Sequence, residues 1–304
     1  MKEKAKAMVL ASFVGDSLAL GAHWIYDTER IAREFGRIEN LLAPRPDSYH
    51  STKRKGQFTH YGDQAFVLLQ SLAARKAFDL ADFADRWRKL FSAYSGYYDK
   101  ATKDTLLNFA AGRGPEASAS PSNELAGATR IAPLAYLLRD DPEALSAAAR
   151  VQAAMTHGDP LTIDSAEFFA RAACRILGGD APAMALTAVA GERFAGTPLA
   201  GWVKEGIARK DEESVAALGR FGRNCSAPAA FPGVIQICAR YEIDMKEALI
   251  QNVMAGGDSA ARGMAIGMLL GAHLGEAAIP ASWLAEMERG DEIRGLLGEL
   301  PWAP

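Results

Sequence analysis

Apolar residues recur along the chain mainly with the 3.6-residue rhythm of α-helices, and strand-like alternation is nearly absent. In the first segment Met8, Ser12 and Asp16 share one side at i, i+4 and i+8, while Val9, Phe13 and Leu20 lie on an adjoining apolar face. That spacing presents Asp16 from a mostly buried helix. The pattern predicts further helices at about 63–77, 81–94, 100–111, 125–138, 142–156, 161–178, 181–194, 198–209, 212–219, 231–241, 244–255, 258–274, 281–288 and 291–299. Asp140-Asp141-Pro142 and Asp159-Pro160 read as starts, a capping carboxylate before a proline suited to the first turn. Gly178-Gly179-Asp180 and Gly256-Gly257-Asp258 combine a stop with a new start. The expectation is an all-α fold. With no fixed-period repeat and no linker between self-sufficient halves, residues 1–304 are expected to form one domain.

Composition sharpens this picture. Fifty-eight of 304 residues are alanine, which favours close-packed helices with small residues at their contacts. With 49% hydrophobic and 23% charged residues, disordered and fibrous classes are excluded. The net charge of −3 and a single short basic run, Lys53-Arg54-Lys55, argue against nucleic acid as a partner. Lys2, Lys4 and Lys6 before the apolar stretch Ala7 to Leu20 imitate a secretory leader, but Asp16 interrupts the stretch and no small-residue cleavage site follows. No apolar run reaches the ~18–20 residues that cross a bilayer, so no membrane partner is expected. Three cysteines without CxxC spacing imply neither a disulfide framework nor a thiolate zinc site, and fit a soluble, unprocessed, cytoplasmic protein.

Two irregular stretches, 42–62 and 112–124, are each long enough to suggest function. In Thr59-His60-Tyr61-Gly62-Asp63-Gln64 a carboxylate stands at a helix start after a glycine, placed either to cap the helix or to hold a cation. In Gly256-Gly257-Asp258-Ser259 a double glycine precedes another start, where free N–H groups can take a phosphate and the aspartate a metal or sugar hydroxyl, unless it too only caps. His157 lies in a tight interhelical loop, suited to bonding a polar ligand, and His23 follows Asp16 by seven residues, two helical turns if the helix continues. Arg130, in the small-residue context of Gly127 to Pro133, requires a carboxylate or a ligand phosphate. GxxxxGK[ST], HExxH and GxSxG are all absent.

Five segments in order, Val14-Gly15-Asp16-Ser17-Leu18, Tyr61 to Gln64, Gly127 to Pro133, Thr156-His157 and Gly256 to Ser259, resemble the motifs of the ADP-ribosylglycohydrolase and crystallin J1 family. The resemblance implies an all-α domain, an ADP-ribosyl ligand on a small molecule or a protein, hydrolysis of its glycosidic bond, and two magnesium ions. Active members carry Thr-Asp-Asp-Thr at the first helix start and Asp-Thr-Asp-Thr after paired glycines, as hard oxygen ligands for magnesium. Here those runs read Tyr61-Gly62-Asp63-Gln64 and Asp258-Ser259-Ala260-Ala261, one carboxylate each, and His23 stands where a further glutamate is expected. The usual Gly-Asn-Gly before the arginine is Leu125-Ala126-Gly127. An intact dimagnesium site is not expected; at most one weak ion would sit on Asp63 and Asp258.

The resemblance therefore implies Asp63, Asp258 and His23 as catalytic residues, the two aspartates positioning a water at the anomeric carbon and His23 serving as acid or base. Asp16, Gly127, Arg130, His157, Gly256, Gly257 and Ser259 would contact the ligand. Three readings stay open: an ADP-ribosylglycohydrolase-like binder that hydrolyses its ligand, a noncatalytic ADP-ribose-binding or crystallin-like structural protein, and a hydrolase acting on a different N-glycoside without metal. The oligomeric state does not follow from the sequence.

Overall fold

A computed structural model describes residues 1–302, so Ala303 and Pro304 lie outside the described residues. Among the described residues there are seventeen α-helices and three short 3-10 turns, with only isolated bridges and no named strand. The all-α expectation holds, and most helices begin and end within about four residues of their predicted bounds. No described helix is long and apolar enough to cross a membrane.

The core is built on one antiparallel pair, Lys2–Ala19 against Ser259–Leu274. Their facing positions are small: a Cβ on Gly15 would lie 2.1 Å from Gly263 O, one on Gly267 2.1 Å from Ala11 O, and one on Gly271 2.6 Å from Ala7 O. Glycine costs a helix about 1 kcal/mol per residue, offset here by backbone-to-backbone contact that no other residue permits. Because the pair is antiparallel, the C-terminal end of the first helix meets the N-terminal end of the second. That crossing brings His23 next to Asp258.

Three departures from the predicted elements have physical causes. The helix expected over 125–138 is split into Ala126–Thr129 and Ala132–Leu138, because Pro133 cannot donate and its ring opposes the carbonyl four residues back, leaving Arg130 in the break. The first helix ends at Ala19 and tightens through Leu20–Ala22, so His23 follows the helical run rather than lying on it. Helix Thr28–Phe35 has no predicted counterpart: only Ile31 is buried in it, so apolar rhythm is absent and the start rests on Asp27, which accepts from Glu29 N and Arg30 N at 3.0 Å each. At the chain's end Trp302 packs on Tyr136 and beneath the guanidinium of Arg139.

Candidate functional site

Helix His60–Arg75 starts three residues before the predicted position, and its cap is Thr59, whose side chain accepts from Tyr61 N at 3.1 Å. Asp63 therefore does not cap. It sits in the first turn, where Oδ2 accepts from Lys53 Nζ at 2.5 Å and from Tyr94 OH at 2.7 Å. Around it is a small recess of about 70 Å³, also lined by Gln57, Phe58 and Arg289. Asp16 is fully buried and points at the same loop: Thr59 donates to it from N at 2.7 Å and from Oγ1 at 2.6 Å. Burial pushes its pKa up to about 6 despite those bonds, and its role is to tie the first helix to the helix start. Gly62 must be glycine here, since a Cβ would stand 2.6 Å from Asp16 Oδ2.

Asp258 is the opposite case. It precedes helix Ser259–Leu274 in the N-cap position, yet its side chain makes no capping bond of good geometry and neither oxygen has a geometrically sound hydrogen-bond partner among the described residues, although the Ala261 N–H faces it closely enough to lower its pKa. Burial pushes its pKa up to about 7, with Arg262 pulling the other way. His23 Nε2 stands 3.6 Å from Asp258 Oδ1. The other ring nitrogen, Nδ1, accepts from Ala260 N at 3.3 Å, which leaves the proton on Nε2, facing the carboxylate. Burial and the nearby His50, His60 and Arg262 hold the His23 pKa well below the ordinary value. In this structure His23 stands as a neutral imidazole with Nε2 facing Asp258.

The double-glycine turn is closed to phosphate. Gly256 N donates to Val253 O, Gly257 N to Ile25 O at 2.8 Å, Asp258 N to Arg223 O and Ser259 N to Gly257 O, so each amide from 256 to 259 is engaged within the protein. Both glycines have positive φ, and a Cβ on Gly257 would stand 2.0 Å from Arg223 O. Trp24 donates to Gly257 O at 2.9 Å with φ of 64°, a left-handed conformation that is rare and strained for a bulky residue. Its ring joins Tyr49 and Tyr97, with centroids 5.0–5.3 Å apart, in a partly exposed aromatic lip.

Arg130 forms no ion pair with a carboxylate among the described residues, although the charge of Asp99 raises its pKa. It is fully buried, donates to Gln64 Oε1 and Thr156 Oγ1, and burial lowers its pKa to about 10. Thr156 Oγ1 in turn meets His157 Nδ1 at 2.8 Å, and Gly127 packs so tightly on that ring that a Cβ would lie 2.6 Å from Cγ. His157 Nε2 faces Glu124 Oε2 at 4.0 Å. Asp99 completes the group: single ligand atoms of Asp99, Glu124 and His157 lie within 4.8 Å of one another.

The structure thus brings His23, Gly256, Gly257, Asp258 and Ser259 together, and joins Gly127 and Arg130 to His157. Burial raises the Glu124 pKa, with Asp99 adding to the rise, and both carboxylates also push Asp258 up, so these three acids share one electrostatic neighbourhood. Asp63 has its own partners, Lys53 and Tyr94. A magnesium pair does not fit these residues, because Gly62, Ala260 and Ala261 bring no donor and an ammonium group occupies Asp63. Sequence reasoning missed Asp99, Glu124, His50 and Tyr61. The signal available was the histidine count: of five in the chain, His23, His50, His60 and His157 are buried in this one region.

Comparison with known proteins bears on what this arrangement is. The family model described as ADP-ribosylglycohydrolase matches residues 1–302. The chain is 26% identical to Crystallin J1A of Tripedalia cystophora over 310 aligned positions, covering 96% of this chain and 94% of that protein. An uncharacterized protein of Archaeoglobus fulgidus is 24% identical over 99% of this chain and 96% of its own length. Among solved structures, one titled ADP-ribosylglycohydrolase-related protein complex superposes with a TM-score of 0.78 at 24% identity, covering 98% of this chain and 96% of that one, which supports the fold.

Proposed function

Because the chain belongs to the ADP-ribosylglycohydrolase family, we propose that it binds an ADP-ribosyl or related nucleotide-sugar ligand, ribose against Asp258, and hydrolyses the glycosidic bond without a magnesium pair. One observation carries this reading. Both oxygens of Asp258, His23 Nε2, Tyr61 OH, Ser259 Oγ and Arg262 Nη1 are buried polar atoms without a partner among the described residues. Each such group costs about 1–3 kcal/mol, and a hydroxyl-rich sugar supplies the missing donors and acceptors. The aromatic lip of Trp24, Tyr49 and Tyr97 offers faces on which a base can stack.

Asp258, with a pKa near 7, has the basicity suited to taking a proton from water as that water attacks the anomeric carbon and the bond to the leaving group breaks with its electron pair. His23 Nε2–H faces the carboxylate at 3.6 Å, beyond a direct hydrogen bond, so a ligand hydroxyl or water between them would accept its hydrogen bond. Lys53 stands at Asp63 where a cation would otherwise be required.

That same ammonium, with the missing donors, favours a second reading: a noncatalytic binder or structural protein, in keeping with the relatives named Crystallin J1A and J1B. Calorimetry with ADP-ribose, and chromatography of products from several ADP-ribosyl linkages with and without magnesium, separate the two. Binding and magnesium-insensitive turnover, both lost in Asp258→Asn, support hydrolysis; binding without turnover supports the second reading; no binding removes the ligand from both.

A further inference from the structure

We propose that Asp99, Glu124 and His157 form a binding site for one divalent first-row transition-metal ion, such as zinc or manganese, at a place separate from the helix start at Asp63. The site is independent of the glycoside chemistry proposed at Asp258. Its first support is geometric: ligand atoms sharing a tetrahedral or octahedral ion at about 2.0–2.2 Å lie about 3–4 Å apart, and the three atoms here are all within 4.8 Å of one another.

The second support is how each side chain is held. His157 is 2% exposed; Nδ1 meets Thr156 Oγ1 at 2.8 Å, and Nε2, with no partner, points towards Glu124. Glu124 Oε1 accepts from Cys225 Sγ at 3.2 Å, while Oε2 has no partner. Asp99 Oδ1 accepts from Thr102 N at 2.7 Å, leaving Oδ2 with only His60 Nε2 at 3.3 Å. His157 and Glu124 are each fixed through one atom and leave the other without a partner, while Asp99 is held by Thr102 N and turns its second oxygen towards His60, so outer partners orient all three.

The backbone secures the same arrangement. Ser120 N donates to Thr156 O at 3.0 Å and Gly158 N to Ser120 O at 2.8 Å, bracketing His157. Leu125 N donates to Cys225 O and Ala227 N to Asn123 O, both at 2.8 Å, bracketing Glu124. Two carboxylates balance a divalent charge, and an imidazole nitrogen beside two oxygens suits zinc, manganese or iron better than magnesium. Glu124, with 19% of its side chain exposed, provides the entry path.

The test uses the full chain, stripped with chelator and titrated with zinc or manganese chloride by calorimetry, with retained metal measured after dialysis. One ion per chain is expected, with affinity falling at least tenfold in Glu124→Gln and His157→Gln and unchanged in Asp63→Asn. Cobalt should give a visible spectrum free of thiolate charge transfer, which excludes capture by cysteine. Circular dichroism establishes that each variant keeps its helices, and Asp99→Asn, which retains the capping oxygen, serves as a second ligand variant. Substoichiometric metal, wild-type affinity in the folded Glu124→Gln and Asp99→Asn variants, or loss of metal in Asp63→Asn instead would each overturn the proposal. Loss of ADP-ribose binding with metal retained would count against the proposed function alone.

Discussion

Lys53 Nζ lies 2.5 Å from Asp63 Oδ2, and the ammonium also stands 4.8 Å from the centre of the Tyr94 ring. The two side chains are only 13% and 14% exposed, so this pair is less screened than a surface ion pair. Lys53→Met strands the carboxylate, and a loss of about 2 kcal/mol in urea unfolding is expected. Adding Asp63→Asn should restore most of that loss, giving a double-mutant coupling well above the ~0.5 kcal/mol of an exposed pair. Independent, additive losses would show that the pair is not coupled.

Asp258 makes stability depend on pH. Its folded pKa of about 7 is raised above the ordinary 3.8, so the folded state binds the proton more tightly than the unfolded chain. This contribution is fully present below pH ~4, falls as pH rises, and is lost once pH passes ~7. Asp16, raised to about 6, acts in the same direction over a narrower window. Asp258→Asn should therefore be more stable than the wild type at pH 8, by on the order of 2–4 kcal/mol, with the difference shrinking towards pH 4. Thermal melts at both pH values measure it; a variant less stable than wild type at pH 8 would contradict the burial argument.

Two glycines in helices should respond to alanine with opposite signs. At Gly267 the new methyl would stand 2.1 Å from Ala11 O, and a loss of about 3 kcal/mol or failure to fold is expected. At Gly295, in helix Gly290–Glu299, a Cβ meets nothing within 4 Å, so helix propensity alone acts and a gain of about 0.5–1 kcal/mol is expected. Denaturant midpoints of the two variants check the pair.

Gly127→Ala tests the coupling between the small-residue turn and His157. The methyl would push against the imidazole at 2.6 Å from Cγ, turning Nε2 away from Glu124. Metal affinity by calorimetry is expected to fall at least tenfold while circular dichroism stays that of the wild type. Undiminished affinity would show that the ring does not act from its observed position.

The fold was legible because it rests on repetition: Ala7, Ala11 and Gly15 oppose Gly271, Gly267 and Gly263, and such spacing is visible in a linear string. The residues near Asp258 were legible for a similar reason, since the double glycine and its helix start lie together in sequence. Asp63 misled because a carboxylate beside a glycine has the same pattern whether an ion, a lysine or an amide answers it. Only folding brings Lys53, ten residues earlier, onto its oxygen. Asp99 and Glu124 gave no local sign, one being a helix cap by pattern and the other a lone acid in a loop; their meaning lies in distances to His157 that no spacing encodes.

The central pair of helices meets backbone to backbone at its glycines. An architecture founded in that way does not depend on what its rim is asked to do. Donors can be exchanged at the helix ends, one codon at a time, while the distance between those ends stays inherited. A lineage built on such a frame can shed one chemistry and try another without first having to discover a new way to fold.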